Sequence, residues 1–109
     1  MGEELEAIKK KIIGFRNNRA WKKFHNPKSL SQAIGVEAAE LQKIFLWKTS
    51  TECKKFTSKE IEVINDKVAD IFIYLIYFCH EFNIDLFKTA ERKIEINAKK
   101  HTVNEAPSE

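Results

Sequence analysis

The sequence predicts an all-α fold, in which four helices form a bundle-like protomer, and three observations support this prediction. Apolar residues recur every three or four positions along four separate segments, which is the period of an amphipathic helix. The chain has only three glycines and two prolines, too few for the many tight turns of an all-β domain. Because 43% of the residues are hydrophobic and 32% are charged, the chain is expected to fold rather than stay disordered.

The first two helices are predicted on either side of a polar and aromatic connection. The first helix is expected from about residue 3 to residue 18, with one apolar side. The connection, residues 19–28, contains Pro27, and Ser29 is the expected N-cap of the second helix. This second helix is predicted to run to about residue 48.

The third helix is predicted to begin after Thr57, which forms a capping-box pattern with Glu60, and to extend to about residue 82. Its residues 71–79 are apolar on every side, and such a helix must be covered on every side. Three short partner helices can hardly do this within one protomer. We therefore expect a homo-oligomer with the third helix at the subunit interface.

The end of the chain completes a single predicted domain. Asn83 and Asp85 are expected to end the third helix and to cap the fourth, which covers about residues 86–100. The domain is predicted to span residues 1–101, and residues 102–109 to form a polar tail.

Charge and composition exclude several classes of function. The net charge is only +3, with 19 basic residues interspersed among 16 acidic ones, so no binding surface for a nucleic-acid polymer is expected. The longest apolar run has nine residues, whereas a membrane span needs about 20. The charged N-terminus is unlike a signal peptide, and the two cysteines have no disulfide or zinc spacing. These features predict a cytoplasmic protein that does not interact with membranes.

Three carboxylates are the candidate metal ligands. Glu37 and Glu40 lie at or beside the apolar side of the second helix, with Cβ atoms about 5–6 Å apart at this spacing. Like charges that face a bundle interior are costly unless a cation meets them. Together with Asp70, which opens the apolar run of the third helix, they could supply oxygen ligands to Mg²⁺. The alternatives are a solvated glutamate pair and an aspartate that pairs with one of the many lysines.

Two further sets of side chains could bind the parts of a nucleotide. Flat rings can stack on a base, although tryptophans more often fill a core. The candidates for this role are Trp21, Phe24, His25, Trp47 and Tyr74, the last of these one turn after Asp70. One side of the fourth helix could hold phosphates, although a solvated polar surface is the commoner explanation. Its candidates are Lys93, Asn97 and Lys100.

At residues 12–101 the chain resembles the MazG-like nucleoside triphosphate pyrophosphohydrolases, and is most similar to their small dCTP-pyrophosphatase-like members. The motifs that carry the resemblance are Trp21-x-x-Phe24-His25-x-Pro27-Lys28-x-Leu30, Glu37-Ala38-Ala39-Glu40-Leu41, Trp47, Ala69-Asp70-Ile71-Phe72-Ile73-Tyr74-Leu75 and Lys93-x-x-x-Asn97-x-x-Lys100. The resemblance implies four-helix protomers in dimers or dimers of dimers. It also implies Mg²⁺-dependent hydrolysis of a nucleoside triphosphate to monophosphate and pyrophosphate, with Mn²⁺ as a possible substitute and nucleotide-pool house-cleaning as the role.

One position departs from the family pattern. The metal ligands of the family follow E-x-x-E and then E-x-x-D, and Glu37, Glu40 and Asp70 match three of the four positions. The remaining position is Lys67. An ammonium about 6 Å from a divalent ion repels it by roughly 5 kcal/mol at an effective dielectric constant of about 20. The long lysine stem can relieve this repulsion by turning outward.

Lys67 leaves three functions open. The chain could hydrolyse nucleotides, with weaker metal binding and slow turnover. It could instead be a catalytically impaired nucleotide-binding module in which Lys67 contacts phosphate or disables the site. A helical interaction domain, whose apolar third helix docks a partner protein, is the third hypothesis.

Overall fold

Four α-helices account for most of the fold. The computed structural model describes residues 2–19 and 26–101. The helices are α1 (Gly2–Asn18), α2 (Pro27–Phe45), α3 (Ser58–Phe82) and α4 (Leu86–Lys100), and a short 3₁₀ turn at Glu52–Lys54 lies between α2 and α3. No strand occurs in these described ranges, so the predicted all-α class is confirmed. The predicted tail, residues 102–109, lies outside them.

The start of α2 differs from the prediction. Asn26, not Ser29, is the N-cap: its side-chain oxygen accepts a hydrogen bond from the Ser29 amide at 2.9 Å. The Ser29 hydroxyl accepts one from the Asn26 amide at 3.2 Å, which completes a capping box. Pro27 stands at the first helical position, where its fixed φ suits the helix and no N–H is needed. The helix also ends at Phe45, earlier than the predicted residue 48.

The predicted ends of α3 and the start of α4 are confirmed. The Glu60 amide donates to the Thr57 hydroxyl at 3.1 Å, and the Thr57 amide donates to the Glu60 carboxylate at 2.9 Å. Asn83 ends α3 with a φ of 53°, in the left-handed region that asparagine tolerates. The Asp85 carboxylate then accepts from the Lys88 amide at 3.1 Å and caps α4.

The core lies between α3 and the two helices that precede it. Helix α2 packs along α3, and α1 makes a smaller contact with α3. The buried residues of this core are Ile12, Leu30, Ile76 and Tyr77. By contrast, α4 contains no buried residue and has only slight contact with the other helices. Leu86 at the start of α4 packs against the core, but other apolar side chains of α4 are open to solvent in the protomer, with Ile94 67% exposed and Phe87 44% exposed.

A buried arginine joins α1 to α3. Arg16 is fully buried, and its Nη1 donates to the Glu81 carboxylate at 3.0 Å. The guanidinium also lies over the ring of Tyr77, 5.3 Å from its centroid. Within residues 2–19 and 26–101, neither Nε nor Nη2 of Arg16 has a hydrogen-bond partner. Arg16 is thus held by one ion pair and by aromatic packing.

None of the helices in the described ranges is both long enough and apolar enough to cross a membrane.

Candidate functional site

The candidate site forms where α2 and α3 face each other. Glu37 on α2 meets Lys67 on α3, with 3.2 Å between Glu37 Oε2 and Lys67 Nζ. Glu40 lies one turn beyond Glu37, and Asp70 lies one turn beyond Lys67. We call Glu37, Glu40 and Asp70 the acid cluster. The packing of α2 against α3 therefore places the three carboxylates that the sequence singled out within electrostatic range of Lys67.

All three carboxylates raise the pKa of the Lys67 ammonium. Its hydrogen bond to Glu37 is the main reason why the pKa of Lys67 is raised above its ordinary value of 10.5. Partial desolvation opposes this shift, and the negative charges of Glu37, Glu40 and Asp70 add to it. Lys67 thus turns toward the cluster, although the sequence had suggested that its stem could turn outward. The three carboxylates outnumber the Lys67 ammonium, and a second lysine, Lys11, lines the cavity that Asp70 also lines.

The donor chemistry of the acid cluster fits a divalent ion, whereas its present geometry is set by the ammonium. In the part of the chain that the structure describes, no three acidic, histidine or cysteine side chains are close enough to ligate one ion. Carboxylate oxygens are nevertheless the ligands that Mg²⁺ prefers. The Lys67 side chain is 27% exposed, so its flexible stem can move aside. The assignment of Glu37, Glu40 and Asp70 as metal ligands stays a prediction.

An apolar cavity of about 350 Å³ adjoins the cluster between α1 and α3. It is lined by Lys11, Ile12, Phe15, Asp70, Ile73, Tyr74 and Tyr77. Asp70 belongs to both the cavity and the acid cluster, so the two features are continuous. Tyr74 lines the same cavity as Asp70, in agreement with their predicted common side of α3. The α1 side chains of this lining were not among the predicted site residues, because the regular apolar spacing of α1 is equally typical of core packing.

Trp47 is not a core residue. It lies just beyond the end of α2 and is 89% exposed. The segment around it is anchored by its neighbours. The ring of Phe45 packs edge-on against Phe56, and Lys48 Nζ lies 3.7 Å from Glu60 Oε2. The core explanation for this tryptophan is therefore wrong in the protomer, because its ring faces solvent on an anchored segment.

The remaining predicted site residues are not joined to the cluster. Trp21, Phe24 and His25 lie outside the described residues. Lys93, Asn97 and Lys100 are all exposed on α4. No hydrogen bond or ion pair links the side chains of these α4 residues to the acid cluster in the described ranges of one protomer.

The arrangement defines a class of protein: a small all-α domain with carboxylates on two packed helices, next to an apolar cavity. A sequence model of the MazG-like family matches residues 32–109, and the chain belongs to this family. The resemblance seen in the sequence is thereby confirmed.

Relatives and a solved structure agree with this assignment. The chain is 29% identical to mouse dCTP pyrophosphatase 1 over 102 residues, which cover 92% of the chain and 60% of the relative. It is 29% identical to the human protein of the same name over 106 residues, covering 95% and 62%. The chain thus spans about 60% of the length of these relatives. The crystal structure of a pyrophosphatase from Archaeoglobus fulgidus matches with a TM-score of 0.74 and 34% identity, covering 91% of this chain and 90% of the other.

Proposed function

We propose that this protein hydrolyses (deoxy)nucleoside triphosphates to monophosphate and pyrophosphate in a Mg²⁺-dependent reaction. The observation that carries the proposal is the continuity between the acid cluster and the aromatic cavity through Asp70. A metal–phosphate centre needs carboxylates, and a base needs a flat apolar pocket beside it. Membership of the MazG-like family supports the same reaction. The proposed role is the removal of unwanted nucleotides from the pool.

The acid cluster would hold the metal and activate water. Glu37, Glu40 and Asp70 would be the ligands, and a bound Mg²⁺ would polarise the α-phosphate and lower the pKa of a bound water. Glu40, which is exposed and forms no ion pair in the described ranges, would orient the attacking water and accept its proton. Mn²⁺ has the same ligand preferences and is expected to substitute.

The base would occupy the cavity beside Asp70. A volume of about 350 Å³ lies within the range of small-molecule pockets, which starts at about 300 Å³. Tyr74 and Phe15 offer ring surfaces there. The exposed ring of Trp47 does not line this cavity and is a separate candidate for a contact with the base. Trp21, Phe24 and His25 are retained as candidates for contacts with the base or sugar.

In a homo-oligomer, α4 of one copy would bind the phosphates of a nucleotide held by another copy. We propose a homo-oligomer, a dimer or a dimer of dimers, because α4 is uncovered and Phe82 on α3 is 53% exposed. Assembly would bring Lys93, Asn97 and Lys100 of one copy toward the acid cluster of another, where their donors would offset charge on pyrophosphate. Light scattering at micromolar concentration tests this, and a monomer would contradict it.

A pyrophosphate-release screen tests the reaction. Normal and modified nucleoside triphosphates are assayed with Mg²⁺ and with a chelator. Release is expected with Mg²⁺ and not with chelator, and Glu37→Gln should abolish it. Glu4→Gln is the matched control, since Glu4 is an exposed glutamate in the first turn of α1. Unchanged turnover in Glu37→Gln would sink the assignment.

A second candidate function is a nucleotide-binding module with little or no turnover, and the Lys67–Glu37 ion pair favours it. The variant Lys67→Glu separates the two. A large gain in Mg²⁺-dependent hydrolysis would show that the native site is impaired, whereas high activity in the wild type would exclude this candidate. An interaction domain with no nucleotide site would show no thermal shift with nucleotide. A nucleotide that binds, at 100 times its Kd, would instead add about 2.7 kcal/mol to the free energy of unfolding.

A further inference from the structure

The ammonium of Lys67 lies where a cation is needed by the acid cluster. It is 3.2 Å from Glu37 Oε2, and the charges of Glu40 and Asp70 also act on it. The ion pair is only partly buried, with side-chain exposures of 27% for Lys67 and 20% for Glu37. Lys67 is therefore a counter-ion tethered to α3 by a flexible stem, and it is free to turn without breaking the core.

The charge balance of the cluster has a consequence for metal binding. A free divalent ion that enters the acid cluster is repelled by the Lys67 ammonium unless it displaces it. The ion is also attracted less by Glu37, because the ammonium already neutralises part of the charge of that carboxylate. A divalent ion that arrives on a triphosphate brings an anion with it. The phosphate oxygens then offer the displaced ammonium a new partner, so the ammonium does not lose its ionic contact.

We propose, on the basis of the proposed function, that Lys67 makes the site accept metal and nucleotide together. In the absence of nucleotide, Lys67 occupies the acid cluster and keeps free divalent ions out. When a metal–triphosphate complex enters, the Lys67 ammonium passes from Glu37 to a phosphate oxygen, and the three carboxylates become available to the metal. Lys67 is thus the residue that couples the two ligands.

Equilibrium dialysis of Mn²⁺ tests this coupling without any need for turnover. Mn²⁺ retained by the protein is measured alone and with an equimolar mixture of the four α,β-imido deoxynucleoside triphosphates, which resist cleavage between the α- and β-phosphates. The wild type should bind Mn²⁺ alone weakly, and the analogues should tighten its apparent Kd for Mn²⁺ by about tenfold or more.

Lys67→Met removes the charge and keeps an unbranched stem. This variant should bind Mn²⁺ alone about tenfold or more tightly than the wild type, and the analogues should tighten its apparent Kd for Mn²⁺ by a smaller factor than they do for the wild type. Lys67→Glu should bind Mn²⁺ alone more tightly still. Lys59→Met is the matched control, because Lys59 is exposed in the first turn of the same helix and should leave Mn²⁺ binding at the wild-type level.

The outcomes distinguish this inference from the proposed function. If the wild type binds Mn²⁺ alone as tightly as Lys67→Met does, the coupling role of Lys67 is overturned while the metal site stands. If neither the wild type nor Lys67→Glu retains Mn²⁺, with or without the analogues, the proposed metal site itself fails, and the coupling fails with it.

Discussion

Within residues 2–19 and 26–101, two ion pairs connect α3 to its neighbouring helices, and they differ in how their charges balance. Arg16 on α1 pairs with Glu81 at 3.0 Å, and Lys67 on α3 pairs with Glu37 at 3.2 Å. Around Arg16 one cation meets one anion, and two nitrogens of the guanidinium lack hydrogen-bond partners in the described ranges. Around Lys67 the acids outnumber the ammonium, because the charges of Glu37, Glu40 and Asp70 all act on it.

The difference separates a structural pair from a ligand site. The Arg16 side chain is fully buried under Tyr77, so its donors cannot reach a ligand and the pair can only hold α1 against α3. The Lys67 pair is about a quarter exposed and adjoins the cavity through Asp70. Uncompensated negative charge at an accessible position costs stability unless a cation binds there. The second pair is therefore the one in which function is expected to outweigh stability.

The largest expected effect is on activity, in Glu40→Gln. This change removes the proposed water-orienting carboxylate, so turnover should fall about a hundredfold or more. Because Glu40 is exposed, the free energy of unfolding should stay within about 0.5 kcal/mol of the wild type. Pyrophosphate release and urea unfolding measure the two effects. Undiminished turnover, or a clear loss of stability, would contradict the comparison.

The second effect is on stability, in Arg16→Ala. Loss of the buried stem leaves a cavity and an unpaired Glu81, and unfolding should require about 3 kcal/mol less. Arg16→Met keeps the stem and removes the two unsatisfied donors, so its loss should be nearer 1 kcal/mol. Lys10→Ala, on the exposed side of the same helix, is the control and should change stability by less than about 0.5 kcal/mol. Equal losses for the alanine and methionine variants would show that charge, not packing, holds this pair.

The sequence predicted the helices better than the contacts between them. Local chemistry decides a capping box, so Thr57 and Glu60 were recognised, as was the turn at Asn83. At α2 two capping candidates, Asn26 and Ser29, lie within four residues, and the rigid φ of Pro27 favours Asn26. Residues close in sequence determine these caps, so the caps can be recognised in the sequence.

The sequence named the carboxylates of the candidate site, but it did not predict the contact between Lys67 and Glu37. Periodicity and the family pattern identified Glu37, Glu40 and Asp70, yet which way the Lys67 stem turns depends on the distance between α2 and α3. The α1 wall of the cavity, with Ile12 and Phe15, was missed for a related reason. An apolar residue has the same spacing whether it fills a core or lines a pocket, and only tertiary packing decides between these roles.

A third and smaller effect extends the comparison to Trp47. Its ring is 89% exposed, so Trp47→Ala should leave the free energy of unfolding within about 0.5 kcal/mol of the wild type. If the ring stacks on a base, the Kd for an α,β-imido nucleotide should rise roughly 5- to 150-fold, equivalent to about 1–3 kcal/mol. Calorimetric titration measures it, with the neighbouring Leu46→Ala as control. An unchanged Kd would remove Trp47 from the nucleotide site.

The smallest effect is a change in thiol reactivity that reports which ion pair holds the fold. Cys79 is buried two residues before Glu81, and burial raises the pKa of its thiol above the ordinary value of 9.0. At pH 8 it is therefore mostly protonated and shielded, so in a Cys53→Ser background it should react slowly with a disulfide reagent. Its rate should rise with pH, with a midpoint above 9.0. Arg16→Ala should accelerate it at least about tenfold, since opening of α1 from α3 exposes it, while Lys67→Met should leave it unchanged. Equal acceleration by both variants would mean that the two pairs stabilise one cooperative unit, and the distinction between a structural pair and a ligand site would then be lost.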